Sequence, residues 1–76
     1  MSAVRVFVNG ASLEVAADAT ALEALSLADR EDAREVEAGR RIITDSRGLG
    51  VAPGSPVFGG AIFRTARARP APDDRA

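Results

Sequence analysis

The chain contains no cysteine, no histidine, no lysine, no tyrosine and no tryptophan. Each absence excludes some chemistry. Without cysteine there is no disulfide, no thiolate metal ligand and no thiol nucleophile. Without histidine the usual acid–base group near neutral pH is missing, and so is the commonest metal ligand. Without lysine no side chain can accept an isopeptide bond, which leaves only the N-terminal amine. Stacking platforms would have to come from Phe7, Phe58 and Phe63. No apolar run approaches the ~20 residues of a membrane-spanning helix. The opening MSAVRVFVNG has no basic segment followed by a long apolar one, so it does not read as a signal peptide. The expectation is a cytoplasmic protein with no membrane association and no cofactor.

Seventy-six residues make one domain at most. Its core is worth roughly 3–5 kcal/mol net. The formal charge is −1 but it is segregated. Residues 1–39 carry three Arg against eight acids, and residues 40–69 carry six Arg against Asp45 alone. Such polarity marks either an interaction face or an acidic helix packed beside a basic sheet.

The clearest pattern is VRVFVNGASLEVA. Val4, Val6 and Val8 alternate with Arg5, Phe7 and Asn9, the period of a half-buried strand. Asn9 and Gly10 supply the positive φ angles of a two-residue type I′ turn. Leu13 and Val15 resume the alternation. The segment predicts a β-hairpin with strands near 3–8 and 11–16. Thr20 stands three residues before Glu23, the spacing of a capping box, and opens a helix over about 21–28. In DREDAREVEAG, Asp29 or Asp32 could cap a second short helix, and Gly39 is placed as its stop. Whether one bent helix or two results stays open. RRIITD is a short strand, DSRG a turn and GLGVAPGSPVFGG a loop. AIFRT is the last strand. The domain is expected over residues 1–66, with 67–76 a disordered tail.

A helix between strands of one sheet makes a crossover, and crossovers are right-handed. The simplest arrangement is an α+β domain with one main helix on one face of a four-stranded mixed sheet. That is the β-grasp, or ubiquitin-like, order.

VFVNGASLEVAADATALEALSLAD resembles the opening of the ubiquitin-like sulfur carriers of thiamine and molybdopterin biosynthesis. PVFGGAIFRT is similar to the family's glycine turn before its last strand. The resemblance spans about residues 4–28 and continues loosely around Gly59 and Gly60. It implies a β-grasp fold and, in its full form, a C-terminal Gly-Gly whose carboxylate is adenylated and thiolated. This chain departs from the family there, because it ends in DDRA and sixteen residues follow Gly60. In the β-grasp order, cutting after Gly60 would remove a central strand. Gly59 and Gly60 therefore read as a structural turn, as do Asn9 and Gly10.

The other motifs favour plain structural readings. Ser12, Ser26, Ser46 and Ser55 have no histidine or lysine to act as base. Glu31-Asp32 and Glu35-Glu37 sit in a solvated polar run. The acidic segment lacks the glycine and spacing of a calcium loop, so no metal site is expected. GLGVAPG lacks the features of a phosphate loop. Arg40, Arg41, Arg47, Arg64, Arg67 and Arg69 could meet phosphates, but the charge balance and scarce aromatics count against nucleic acid.

The open face of the sheet is the better candidate. With Val4, Val6 and Val8 facing the helix, Arg5 and Phe7 face away. The same parity applied to RRIITD puts Ile42 and Thr44 in, with Arg41 and Ile43 out. On the last strand Ile62 and Arg64 face out and Phe63 in. The expected face carries Phe7, Ile43 and Ile62, rimmed by Arg5, Arg41 and Arg64. An apolar centre with an arginine rim suits another protein. The leading expectation is a non-enzymatic adaptor or accessory module. The alternatives are a divergent sulfur carrier or protein modifier, and a nucleic-acid accessory protein. A homodimer through the open face or by edge pairing of strand 11–16 is a further option.

Overall fold

The computed structural model describes residues 2–68. It is a small α+β fold with two helices and a five-stranded mixed sheet of order β2-β1-β5-β3-β4. The strands are β1 (Ala3–Val8), β2 (Ala11–Ala16), β3 (Arg41–Thr44), β4 (Gly50–Val51) and β5 (Ile62–Arg67), and the helices are α1 (Ala21–Ala28) and α2 (Arg30–Glu37).

The β1–β2 hairpin forms as its sequence demands. Asn9 and Gly10 have φ of 50° and 88°, and Val8 pairs with Ala11 across the turn. In α1, Thr20 Oγ1 accepts the Glu23 amide at 3.2 Å and Glu23 Oε1 accepts the Thr20 amide at 2.9 Å. The capping box thus satisfies two orphan donors. Ala21, Ala24 and Leu25 are the buried face of α1.

Asp29 resolves the open question about 21–38. Its backbone is extended, its amide closes α1 on the Leu25 carbonyl, and its carboxylate caps the Asp32 amide. The two pieces are separate helices. At the end of α2 the Gly39 amide bonds the Val36 carbonyl and the Arg40 amide bonds the Glu35 carbonyl. These are the two hydrogen bonds of a Schellman motif, and Gly39 takes the positive φ it needs.

One face of the sheet packs on the helices. Val6, Val8, Val15, Leu25, Ile43 and Phe63 are buried there, joined by Ala33 and Val36 from α2. β5 is the central strand, parallel to β1 and antiparallel to β3.

Three expectations need correction. The sheet has a fifth strand, β4, which pairs Val51 with Ile43. It was hidden because only two residues of a glycine-rich loop form it. Next, β5 runs to Arg67, and Ala68 donates to the Arg40 carbonyl at 2.9 Å, so ordered backbone extends past the expected boundary at 66. The rest of the expected tail lies outside the described residues. Finally, the parity of β3 is reversed. Ile43 is 2% exposed and Ile42 43% exposed. Ile43 therefore belongs to the core and not to the open face. Arg41, on the same side as Ile43, reaches Asp32 of α2 at 3.1 Å and so does not rim the open face.

Candidate functional site

The surface away from the helices is built by the outward residues of four strands. On β2 and β1 the pairs are Ser12 with Phe7 and Glu14 with Arg5. On β1 and β5, Phe7 lies beside Ile62. On β5 and β3, Arg64 lies beside Thr44 and Ala66 beside Ile42.

Phe7 and Ile62 thus form an apolar pair across the two central strands. Phe7 is half-buried and Ile62 is 40% exposed. Arg5 precedes the pair on β1, and Arg64 follows it on β5. Both arginines are exposed. Arg5 touches its neighbours loosely, with Ser12 Oγ at 3.3 Å and Glu14 at 3.7 Å. Of the six expected contact residues, the structure brings four together: Arg5, Phe7, Ile62 and Arg64. Ile42 takes the outward place expected of Ile43. Thr44 also faces this side yet is buried, with its hydroxyl 3.4 Å from the Arg64 carbonyl.

The reversal in β3 has a local cause. RRIIT holds two doublets, so alternation alone offers two parities. Tertiary contacts choose between them. Asp32 carries one carboxylate oxygen to Arg41 and the other to Thr65 Oγ1 at 2.7 Å. Asn9 joins this cluster, with its amide nitrogen 3.3 Å from both Asp32 and Thr65 and its oxygen accepting the Thr65 amide at 3.1 Å. The network ties the hairpin turn, α2, β3 and β5 together. Its members satisfy one another, which assigns them a structural part.

Gly59 and Gly60 form the tight turn before β5. The Gly60 amide donates to the Arg5 carbonyl at 2.8 Å, and the Ala61 amide to the Phe58 carbonyl at 3.0 Å. Gly60 has φ of +84°, where a side chain would be strained although the space is open. Phe58, just before this turn, is 65% exposed. Nothing in the sequence marks it as outward, since PVFGG has no periodicity.

Three of the five arginines described in the second half, Arg40, Arg41 and Arg47, are engaged within the chain. Arg40 makes a two-pronged contact with Glu35, at 2.7 and 2.9 Å. That hydrogen bonding raises the Arg40 pKa above its ordinary value and lowers that of Glu35. Arg47 pairs with Asp45 at 3.6 Å. Asp45 Oδ1 also accepts the Leu49 amide at 3.0 Å and the Arg47 amide at 2.8 Å. The Leu49 contact is the main cause holding the Asp45 carboxyl below the usual carboxylate range. Arg64 and Arg67 have no ion pair among the described residues.

Among the described residues no helix is long and apolar enough to cross a membrane, and no three carboxylates converge on a metal position. No protein-family model matches the chain, and no curated protein matches it either.

Proposed function

We propose that this chain is a non-catalytic module of the β-grasp, ubiquitin-like type that binds another protein through the open face of its sheet. The observation that carries the reading is the Phe7–Ile62 pair, set on the two central strands between Arg5 and Arg64. Apolar side chains at the middle of a surface with guanidinium groups at its margin supply what protein interfaces favour: area to desolvate and oriented donors. The two-helix, mixed-sheet architecture is compatible with the β-grasp order. The resemblance of residues 4–28 to the sulfur carriers supports it further.

Two alternatives are weaker on specific grounds. A carrier of the Gly-Gly type needs a free glycine tail, whereas Gly60 is held against Arg5 and leads directly into the central strand. A nucleic-acid role needs a cluster of free cations, whereas Arg40, Arg41 and Arg47 are each paired with a carboxylate, which leaves only Arg64 and Arg67 of that group unpaired among the described residues. The absence of histidine, cysteine and lysine supports a non-catalytic role.

The test is capture of a stoichiometric partner from the native host by the full chain, repeated with Ile62→Asp and Phe7→Ala. The reading expects both variants to keep a cooperative thermal transition and to lose the partner. Retention of the partner by folded Ile62→Asp would sink it. A captured chain in which one oxygen has been exchanged for sulfur would favour the carrier alternative.

A further inference from the structure

A second surface lies at the opposite end of the charge distribution, on the free edge of β2. Among the described residues β2 ends the sheet, with β1 on one side and no strand on the other. The phase of its ladder follows from the hydrogen bonds around it. Ala17 donates to Ser2 next to the β1–β2 ladder, while Phe7 and Asn9 donate away from β2, to Ala61 and Phe63 of the β5 segment. Hydrogen-bonded pairs alternate in an antiparallel ladder, so Leu13 and Val15 face β1 with their backbone groups. Ser12, Glu14 and Ala16 direct theirs outward. Among the described residues the Ala16 carbonyl accepts the Ala19 amide at 2.9 Å. Among those residues no other hydrogen bond reaches an outward backbone group of this strand.

Beside that edge lies an open depression of about 430 Å³, lined by Ala16, Asp18, Ala19, Glu23, Ser26 and Leu27. Leu27 is 69% exposed, the largest exposure of any bulky apolar residue among the described ones. The surroundings are acidic. Glu14, Asp18 and Glu23 are all exposed, and Arg5 is the sole cation in the β1–β2 hairpin.

We propose that the β2 edge is a second docking site, which takes an extended segment of a partner protein, basic and apolar in alternation, as an added strand. The outward backbone groups of Ser12, Glu14 and Ala16 supply the pairing. Apolar side chains on one face of the added strand meet the α1 side, where Leu27, Ala16 and Ala19 line the depression. Basic side chains on its other face and at its end meet Glu14 and Asp18. The same charges argue against a second copy. Pairing β2 with itself would set two acidic edges together, and like charges across strands are destabilising. This inference does not depend on the open-face reading.

The test uses a capped alternating arginine–valine hexapeptide as the probe, titrated into the isotope-labelled full chain and followed by amide NMR. Saturable shifts at Ser12, Glu14 and Ala16, with slowed exchange of those amides, are expected. A glutamate–valine peptide should bind roughly tenfold more weakly or not at all. A version of the basic peptide N-methylated on its pairing edge should lose binding to the wild-type chain, a control that needs no folded variant. Glu14→Pro removes an outward amide, which an edge strand tolerates, and Asp18→Arg reverses one charge. Each should weaken binding by roughly tenfold. Absence of shifts along β2, equal binding of the two peptides, or indifference to N-methylation would overturn the proposal. So would protection of the outward amides that rises with protein concentration in the absence of peptide, because it would show a second copy on that edge.

Discussion

The Gly60 amide donates to the Arg5 carbonyl at 2.8 Å, which pins the glycine pair to the central strands of the sheet. From that contact the chain enters β5, which lies between β1 and β3. Removing residues 61–76 would strip Ala61 and Phe63 from the core and leave β1 and β3 without their shared neighbour. A chain ending at Gly60 should therefore show no cooperative unfolding in a thermal melt and no dispersed amide spectrum. A sharp transition from that fragment would mean that β5 is dispensable.

Ile42 and Ile43 are adjacent, yet they should respond oppositely to the same change. Ile43 is buried beside Val51 and Thr65 in the sheet. Ile43→Val should cost about 0.5–1.5 kcal/mol, and Ile43→Ala about 2–5 kcal/mol. Against a net stability of roughly 3–5 kcal/mol, the alanine variant should lose most of its stability and populate the unfolded state measurably at room temperature. Ile42→Val, on the outward side, should stay within about 0.5 kcal/mol of the parent. Denaturant melts of the two valine variants check this. Equal losses would mean that the strand is not read in the correct parity.

That contrast also marks how far the sequence could be read. The hairpin was legible because VRVFV alternates strictly and Asn9-Gly10 allows few other conformations. The first helix was legible because Thr20 and Glu23 stand at capping distance. Arg5 and Phe7 followed from the strict alternation of β1, and Ile62 and Arg64 from setting the charged Arg64 outward on the last strand. The doublets Arg40-Arg41 and Ile42-Ile43 carry no alternation, and the decision came from tertiary contacts such as that of Arg41 with Asp32 on α2. The two-residue strand β4 left no periodic trace. The depression beside Leu27 was invisible for a related reason: it needs the end of β2 and the outer side of α1 together, and neither segment signals it alone.

Asp32 should be the energetic centre of the polar cluster. It accepts from Thr65 Oγ1 and from Arg41, and its side chain is 14% exposed. Hydrogen bonds to a charged group contribute about 1.5–3 kcal/mol. Asp32→Ala and Thr65→Val should each destabilise the chain by about 1–3 kcal/mol. Combined, they should cost less than the sum of the two, because they remove the same contact. A double-mutant cycle from denaturant melts measures this. Strict additivity would mean that the two side chains act independently.

Acid should weaken the fold through Asp45 and Glu35. Asp45 is held below its ordinary pKa mainly by the Leu49 amide, with the Arg47 amide and guanidinium adding to it. Glu35 is lowered chiefly by its hydrogen bonds to Arg40. A carboxyl with a depressed folded pKa binds fewer protons in the native state than in the unfolded chain. Its stabilisation is present above the unfolded pKa and is lost as pH falls through the folded value. The melting temperature should therefore hold through neutral pH and decline once the pH drops below the ordinary carboxylate range. Asp45→Asn keeps one acceptor for the turn amides but does not titrate. Its melting temperature should lie below that of the parent near neutrality, and the gap should close on acidification. A gap of constant size from neutral to acid pH would show that Asp45 stabilises the turn by shape alone and not by its charge.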